Sequence, residues 1–169
     1  HLRDYPDLWR QAVQDGHQIC NHTLNHKSLR YLSEEQIKAE ILGWEDAVID
    51  VLGEEYLKRF KSEFPYLRLP GGGGANDQNI LRIIHDLGYI PVGWSDETYH
   101  SIIKNYDLSV QPIEPIADEI LNRITTNSQN GSIVLLHFVD ADTLKIDEMI
   151  NNILQKGLTI QPVSQLLRD

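Results

Sequence analysis

The stretch that decides the fold prediction is GHQICNHTLNH, which occupies residues 16–26. Its residues 17–20 predict a short strand, and two histidines four positions apart, His22 and His26, follow that strand directly. Imidazoles at positions i and i+4 can contact one metal ion where the chain turns helically. Taken alone, the pair is as compatible with chance as with a metal site, because the chain contains seven histidines.

Size and composition restrict the kind of protein. The chain has 169 residues, and 41% of them are hydrophobic, which is enough for one sizeable core. The 25 acidic and 15 basic residues give a net charge of -10, which argues against binding to a phosphate backbone. We therefore expect a single domain over residues 1–169 that binds no nucleic acid. The sequence also predicts no transmembrane segment and no signal peptide in this chain.

Helical patterns alternate with short apolar runs along the whole chain. Helices are predicted at residues 6–16, 33–53, 77–88, 114–127 and 143–156, the second with a capping box at Ser33. Strands are predicted at residues 17–20, 66–69, 89–94, 132–137 and 158–161. This alternation predicts an α/β fold with a parallel sheet or barrel covered by helices. Sites in such folds lie where strands end.

Several polar residues stand at those strand ends. His137 follows the apolar run 133–136, where a lone histidine is more often structural than catalytic. Arg68 lies within an apolar strand, so its guanidinium needs a carboxylate partner, for which Asp96 and Glu97 are the candidates. On local sequence alone, a plain ion pair that joins two strands is the favoured explanation of the arginine.

The four glycines at residues 71–74 follow Pro70. They lack the lysine and hydroxyl residue of a phosphate-binding loop, so a phosphate cradle is not predicted. Glycines there allow the backbone to approach a ligand closely, which can leave an amide to bind an oxyanion.

Together these clusters resemble the polysaccharide deacetylases, carbohydrate esterase family 4. Residues 16–26 are similar to the family's zinc-binding histidine motif with its lead-in strand, and Arg68-Leu69-Pro70 resembles the motif that forms one wall of the groove. Trp94-Ser95-Asp96-Glu97-Thr98 resembles the start of the other wall, and Leu135-Leu136-His137 resembles the motif of the catalytic histidine. The order of the motifs fits from about Pro6 to Leu167.

The resemblance implies a deformed (β/α) barrel and a metal-dependent hydrolase that removes N-acetyl groups from an amino-sugar polysaccharide, peptidoglycan-like or chitin-like. His22 and His26 would bind a divalent metal, most often zinc. His137 would be the general acid, Arg68 would orient the base, and Glu97 would take the place of an acidic residue of the second wall. The substrate-binding residues implied are Leu135, Gly71 and Trp94.

The chain departs from the family pattern before His22, where no Thr-Phe-Asp-Asp-Gly-like motif occurs. That motif supplies the aspartate base and the third metal ligand, so we expect an N-terminally truncated deacetylase whose barrel lacks its first strand or strands. Such a chain would be inactive alone, bind metal with partial occupancy, and form homo-oligomers through the open barrel edge. The resemblance also implies an extracellular or cell-surface location.

Two other functions are compatible with the sequence. One is a non-catalytic carbohydrate-binding or scaffolding protein with a deacetylase-like fold. The other is a structural module whose histidines bind an ion for stability alone.

Overall fold

The computed structural model describes residues 2–167, which divide into two compact units after Gly93. The first unit contains helices α1 (Pro6–Gln14), α2 (Glu34–Leu52), α3 (Glu54–Glu63) and α4 (Gln78–Asp86), with strands β1 (Tyr66–Leu67) and β2 (Ile90–Pro91). The second contains strands β3 (Asp96–Glu97) and β4 (Val134–Leu135), with helices α5 (Ile113–Asn127), α6 (Asp140–Thr143), α7 (Ile146–Gln155) and α8 (Val163–Leu166). The prediction of one domain over residues 1–169 stays a prediction.

Helix α2 forms one side of the first unit's core. Ser33 accepts a hydrogen bond from the Gln36 amide while the Gln36 side chain accepts one from the Ser33 amide, so the predicted capping box is confirmed. The buried residues of α2 recur at helical spacing and pack in a core with the aromatic rings of α3, where Trp44 and Phe60 have ring centroids 5.1 Å apart. This core supports the strand β1.

The sheet of the first unit is parallel and short. Tyr66 pairs with Ile90 and Leu67 with Pro91, while Asn21 forms an isolated parallel bridge with Leu67. The predicted strand at residues 17–20 is therefore wrong as an extended strand, because its pairing is confined to the bridge at Asn21. That bridge still places the start of the histidine stretch beside β1.

The second unit is built around α5. Four residues of α5, Ile116, Ile120, Leu121 and Ile124, are buried in a core cluster with Ala141 of α6 and Met149 of α7. β3 and β4 pair in parallel, with Asp96 opposite Val134 and Glu97 opposite Leu135. Each unit thus carries one two-stranded parallel sheet, and neither sheet closes on itself among the described residues.

Element boundaries differ from the sequence predictions elsewhere as well. The helix predicted at residues 143–156 is α7 and begins only at Ile146, because Lys145 has a non-helical backbone between it and the short helix α6. The last strand, expected at residues 158–161, is not formed. Helix α3 was not predicted, because most of its residues are charged and the apolar pair Tyr56 and Phe60 does not stand out as a buried helix face. The mixed α/β class is confirmed.

Candidate functional site

The segment from Asn21 to His26 is anchored at its start by a buried amide side chain. Asn21 is 1% exposed, and its side-chain nitrogen donates to the carbonyl of Ile41 in α2 and to the Tyr89 hydroxyl, at 3.1 and 3.0 Å. Its side-chain oxygen accepts the Thr23 amide at 2.9 Å. All of the polar atoms of the Asn21 side chain are therefore used to fix the chain just before His22.

The ring of His22 is oriented by a backbone carbonyl. Nδ1 of His22 lies 2.8 Å from the carbonyl oxygen of Arg68, and because a carbonyl can only accept, this contact places the proton on Nδ1. Nε2 then carries the lone pair of the ring. The Thr23 hydroxyl has no hydrogen-bond partner among the described residues, so it orients neither ring through a hydrogen bond.

The two imidazoles of the predicted metal pair lie close together. The ring centroids of His22 and His26 are 4.7 Å apart at an interplanar angle of 73°. Such a separation permits both rings to contact one ion. Within residues 2–167, however, no group of three or more histidine, cysteine, aspartate or glutamate side chains could hold a metal. The donor set present fits two positions of a tetrahedral site and leaves two to other ligands.

Arg68 is half-buried beside Cys20. The Nε of Arg68 is buried and has no hydrogen-bond partner among the described residues. Burial lowers the pKa of this guanidinium. Burial also raises the pKa of the Cys20 thiol to about 11, an effect that the Arg68 charge opposes. Arg68 thus presents a buried donor suited to an anionic acceptor.

The carboxylate expected to pair with Arg68 is engaged elsewhere. Asp96 accepts two hydrogen bonds from Arg123, at 2.6 and 2.8 Å, and one from Asn127 at 2.8 Å. Burial works against ionisation of Asp96, but the hydrogen bonds from Asn127 and Arg123 more than offset it, so its pKa lies below the usual range. Of the two candidates for the Arg68 partner, Asp96 is therefore paired with Arg123 instead, and Glu97 stays a prediction.

Glu97 and Leu135 stand opposite each other in the register of β3 and β4. The Glu97 carboxylate accepts the backbone amide of His100 at 2.9 Å and lies 3.6 Å from Nδ1 of that ring. Trp94 is half-buried, two residues before β3. These three residues were predicted to shape or assist the site, and their roles stay predictions.

His137 follows β4 and contacts a buried carboxylate that the sequence did not reveal. Its backbone amide donates to Asp142 over 2.6 Å, and its Nδ1 lies 3.4 Å from the same oxygen. The Thr98 hydroxyl donates to that oxygen at 3.0 Å, and the Tyr99 ring centroid lies 5.6 Å from that of His137. The signal that could have found Asp142 is the acidic pair 140 and 142, which starts three residues after the histidine.

Gly71 occupies a left-handed backbone conformation, with φ 55° and ψ 19°, directly after Pro70. A side chain there would be strained, which explains glycine at this turn. The conformation is compatible with the predicted approach of backbone to a ligand, and the role of the Gly71 amide stays a prediction.

Of the helices in residues 2–167, none combines the length and the apolar content that crossing a bilayer requires.

Comparison with known proteins gives one family and a consistent fold. The family model described as polysaccharide deacetylase matches residues 1–92. A chitooligosaccharide deacetylase from Azorhizobium caulinodans is 30% identical over 135 residues, which are 80% of this chain and 55% of that protein. A peptidoglycan-N-acetylglucosamine deacetylase from Bacillus cereus is 29% identical over 167 residues, 96% of this chain and 69% of that protein.

Among solved structures, BA3943 from Bacillus anthracis, described as a CE4 family pseudoenzyme, superposes with a TM-score of 0.77 at 17% identity. The superposition covers 98% of this chain and 52% of that one. The chain thus spans little more than half the length of BA3943 and of the chitooligosaccharide deacetylase.

Proposed function

This chain belongs to the polysaccharide deacetylase family, and we propose that the protein carrying it is a metal-dependent hydrolase that removes N-acetyl groups from amino-sugar polysaccharide. The observation that carries the proposal is the paired imidazoles of His22 and His26, with Nδ1 of His22 held by the Arg68 carbonyl. A carbonyl partner on one ring nitrogen is the usual arrangement around a metal-ligating histidine.

The residues present fit part of a zinc site. His22 and His26 would hold the ion, and the metal when bound would polarise the acetamide carbonyl and activate water. Two protein ligands leave the tetrahedral set incomplete, so we expect partial metal occupancy and no activity of this chain alone. The family's aspartate base and third ligand have no counterpart before His22.

The other roles are proposed residue by residue from the family motifs. His137 gives its proton to the nitrogen of the departing amine. Arg68, with its buried Nε, orients an anionic base. The Gly71 amide donates to the oxyanion, and Leu135 lines the pocket for the acetyl methyl. Trp94 and Glu97 belong to the second wall. A deformed (β/α) barrel, wider than either described sheet, is the architecture that we propose for the whole domain.

The names of the relatives support the substrate and the location that we propose. The two deacetylases are named for chitooligosaccharide and for peptidoglycan N-acetylglucosamine, and both substrates contain N-acetylglucosamine. We therefore propose a polymer of that sugar as substrate. Polymers of this kind occur outside the cell or at its surface, so we propose that location for the protein.

A second candidate is a non-catalytic protein that binds amino-sugar polysaccharide. The two-histidine donor set favours it, and the fold alone does not decide, because a pseudoenzyme has the same fold. Glycan binding that survives His137→Ala, without acetate release at any zinc concentration, would support this candidate.

The test of the first proposal has two parts. Zinc is expected to raise the melting temperature of the wild-type chain and of His85→Ala, whose imidazole is exposed on α4, but not that of the His22→Ala, His26→Ala double variant. The full-length gene product is expected to release acetate from N-acetylglucosamine oligomers in a zinc-dependent way that His137→Ala abolishes. The proposal would be rejected if zinc raised the melting temperature of the double variant as much as that of the wild type, or if the full-length protein released no acetate.

A further inference from the structure

The segment that carries both imidazoles has an unfavourable backbone. Thr23 has φ 66° and His26 has φ 56°, and both lie in the left-handed region that side chains other than glycine rarely adopt. Residues in this region are unfavourable unless their surroundings hold them in place. The geometry of the histidine pair therefore depends on contacts from outside the segment.

Helix α2 supplies those contacts mainly through Glu40, which is 5% exposed. One Glu40 oxygen accepts the Asn25 amide at 2.8 Å, and the other accepts the Asn25 side-chain nitrogen at 3.0 Å. The backbone carbonyl of Glu40 accepts the Leu24 amide at 2.9 Å. Lys27 lies 3.4 Å from the same carboxylate. Glu40 thus contacts the residues on both sides of His26.

The surface of α2 is shaped to receive this segment. Gly43 lies inside the helix, and a Cβ placed on it would come within 2.7 Å of the Leu24 side chain. Glycine in a helix interior is unfavourable relative to alanine. Here it allows Leu24 to lie against the helix one turn from Glu40.

We propose that Glu40 is a positioning residue for metal binding, which holds the strained backbone of residues 23–26 so that the His26 imidazole faces that of His22. The proposal rests on the metal-binding role of these histidines proposed above. Glu40 itself is not a ligand in this scheme, because both of its oxygens are used by Asn25. It acts through that residue, as outer contacts of a metal site commonly do.

The test compares Glu40→Gln with Asp46→Asn in the 169-residue chain. Glutamine has nearly the same shape but offers one acceptor oxygen, and its amide group would face a donor of Asn25. Asp46→Asn removes the same charge from an exposed position on α2. Zinc affinity, measured by competition with a chromophoric chelator, is expected to fall about tenfold in Glu40→Gln and to stay unchanged in Asp46→Asn.

A metal-free measurement separates this inference from the proposed function. Exchange of the Leu24 amide, whose bond to the Glu40 backbone is untouched by the substitution, is expected to be about tenfold faster in Glu40→Gln. If the wild-type chain binds no zinc, the metal proposal fails, and the exchange rate still decides whether Glu40 holds the loop. Equal zinc affinities in wild type and Glu40→Gln, or equal Leu24 exchange rates, would overturn the inference. Asn25→Ala removes the same side-chain contact from the loop side and replaces Glu40→Gln if that variant does not fold.

Discussion

The backbone amide of His137 donates to the carboxylate of Asp142 over 2.6 Å, and the His137 ring nitrogen Nδ1 lies 3.4 Å from the same oxygen. Asp142 is 1% exposed and also accepts the Thr98 hydroxyl. One buried carboxylate therefore joins the start of α6 to the residues that follow β3 and β4.

Asp142→Ala is expected to destabilise the chain by about 2–4 kcal/mol, because the Thr98 hydroxyl and the His137 amide lose their acceptor in a buried place. Urea unfolding followed by circular dichroism measures the loss. The matched control is Asp140→Ala, which changes an exposed carboxylate two residues away. Equal losses in the two variants would show that Asp142 contributes no more than a surface charge.

Stability at alkaline pH depends on Tyr56. Its hydroxyl donates to the Ile19 carbonyl at 3.0 Å, and burial raises the pKa of Tyr56 to about 12. In the unfolded chain the group ionises near pH 10, so the folded state binds the extra proton between pH 10 and 12. The free energy of unfolding is expected to fall across that window by roughly 2–3 kcal/mol from this group.

Tyr56→Phe tests that dependence. The variant is less stable at neutral pH by about 1–3 kcal/mol, since the hydroxyl's hydrogen bonds with both the carbonyl and the amide of Ile19 are lost, but its stability should fall less steeply between pH 10 and 12. If the free energy of unfolding falls equally with pH in the wild type and in Tyr56→Phe between pH 10 and 12, Tyr56 is not the group responsible.

The Cys20 thiol is expected to react slowly in the folded chain. Burial raises its pKa to about 11, so the thiolate fraction at pH 8 is about a hundredfold lower than for a thiol of ordinary pKa. The rate of iodoacetamide alkylation measures this, with the urea-unfolded chain as the reference. A folded chain that reacts as fast as the unfolded one would show that Cys20 is accessible and ionised.

Self-association of this chain stays a prediction. Each described sheet has two strands, so each has outer edges that can pair with another copy. Sedimentation velocity over a wide range of concentrations should show the sedimentation coefficient rising with concentration. A clean monomer at the highest concentration would contradict the expected oligomer.

The helices show what local sequence can predict. Ser33 and Gln36 form the expected capping box, and Asp77 caps α4 through two backbone amides. These contacts join residues at most three positions apart, so the pattern contains all the partners. Helix α3 was not predicted. Its two buried aromatic residues, Tyr56 and Phe60, are too few to form a recognisable helical pattern, and the core that they form with α2 is a tertiary contact.

The site residues also divide into those that local sequence indicates and those that it does not. The sequence alone indicated His22, His26 and His137, because their spacing and their position after apolar runs are local properties. It offered Asp96 and Glu97 as alternative partners of Arg68, whereas the structure pairs Asp96 with Arg123 on α5. Asp96 and Arg123 are 27 residues apart, and a strand pattern does not show which of several carboxylates and cations will meet in the folded chain.

The sequence by itself determined the α/β class, the main helices with their caps, the family and the histidine pair. Tertiary structure decided which groups hold the pair and His137 in place. These are the Arg68 carbonyl for His22, Glu40 for the residues around His26, and Asp142 for His137. The physical reason is that helix periodicity and capping are local, whereas a buried hydrogen bond depends on which distant chain segments meet. The strands are short for the same reason, because a strand extends only as far as its neighbour continues the ladder.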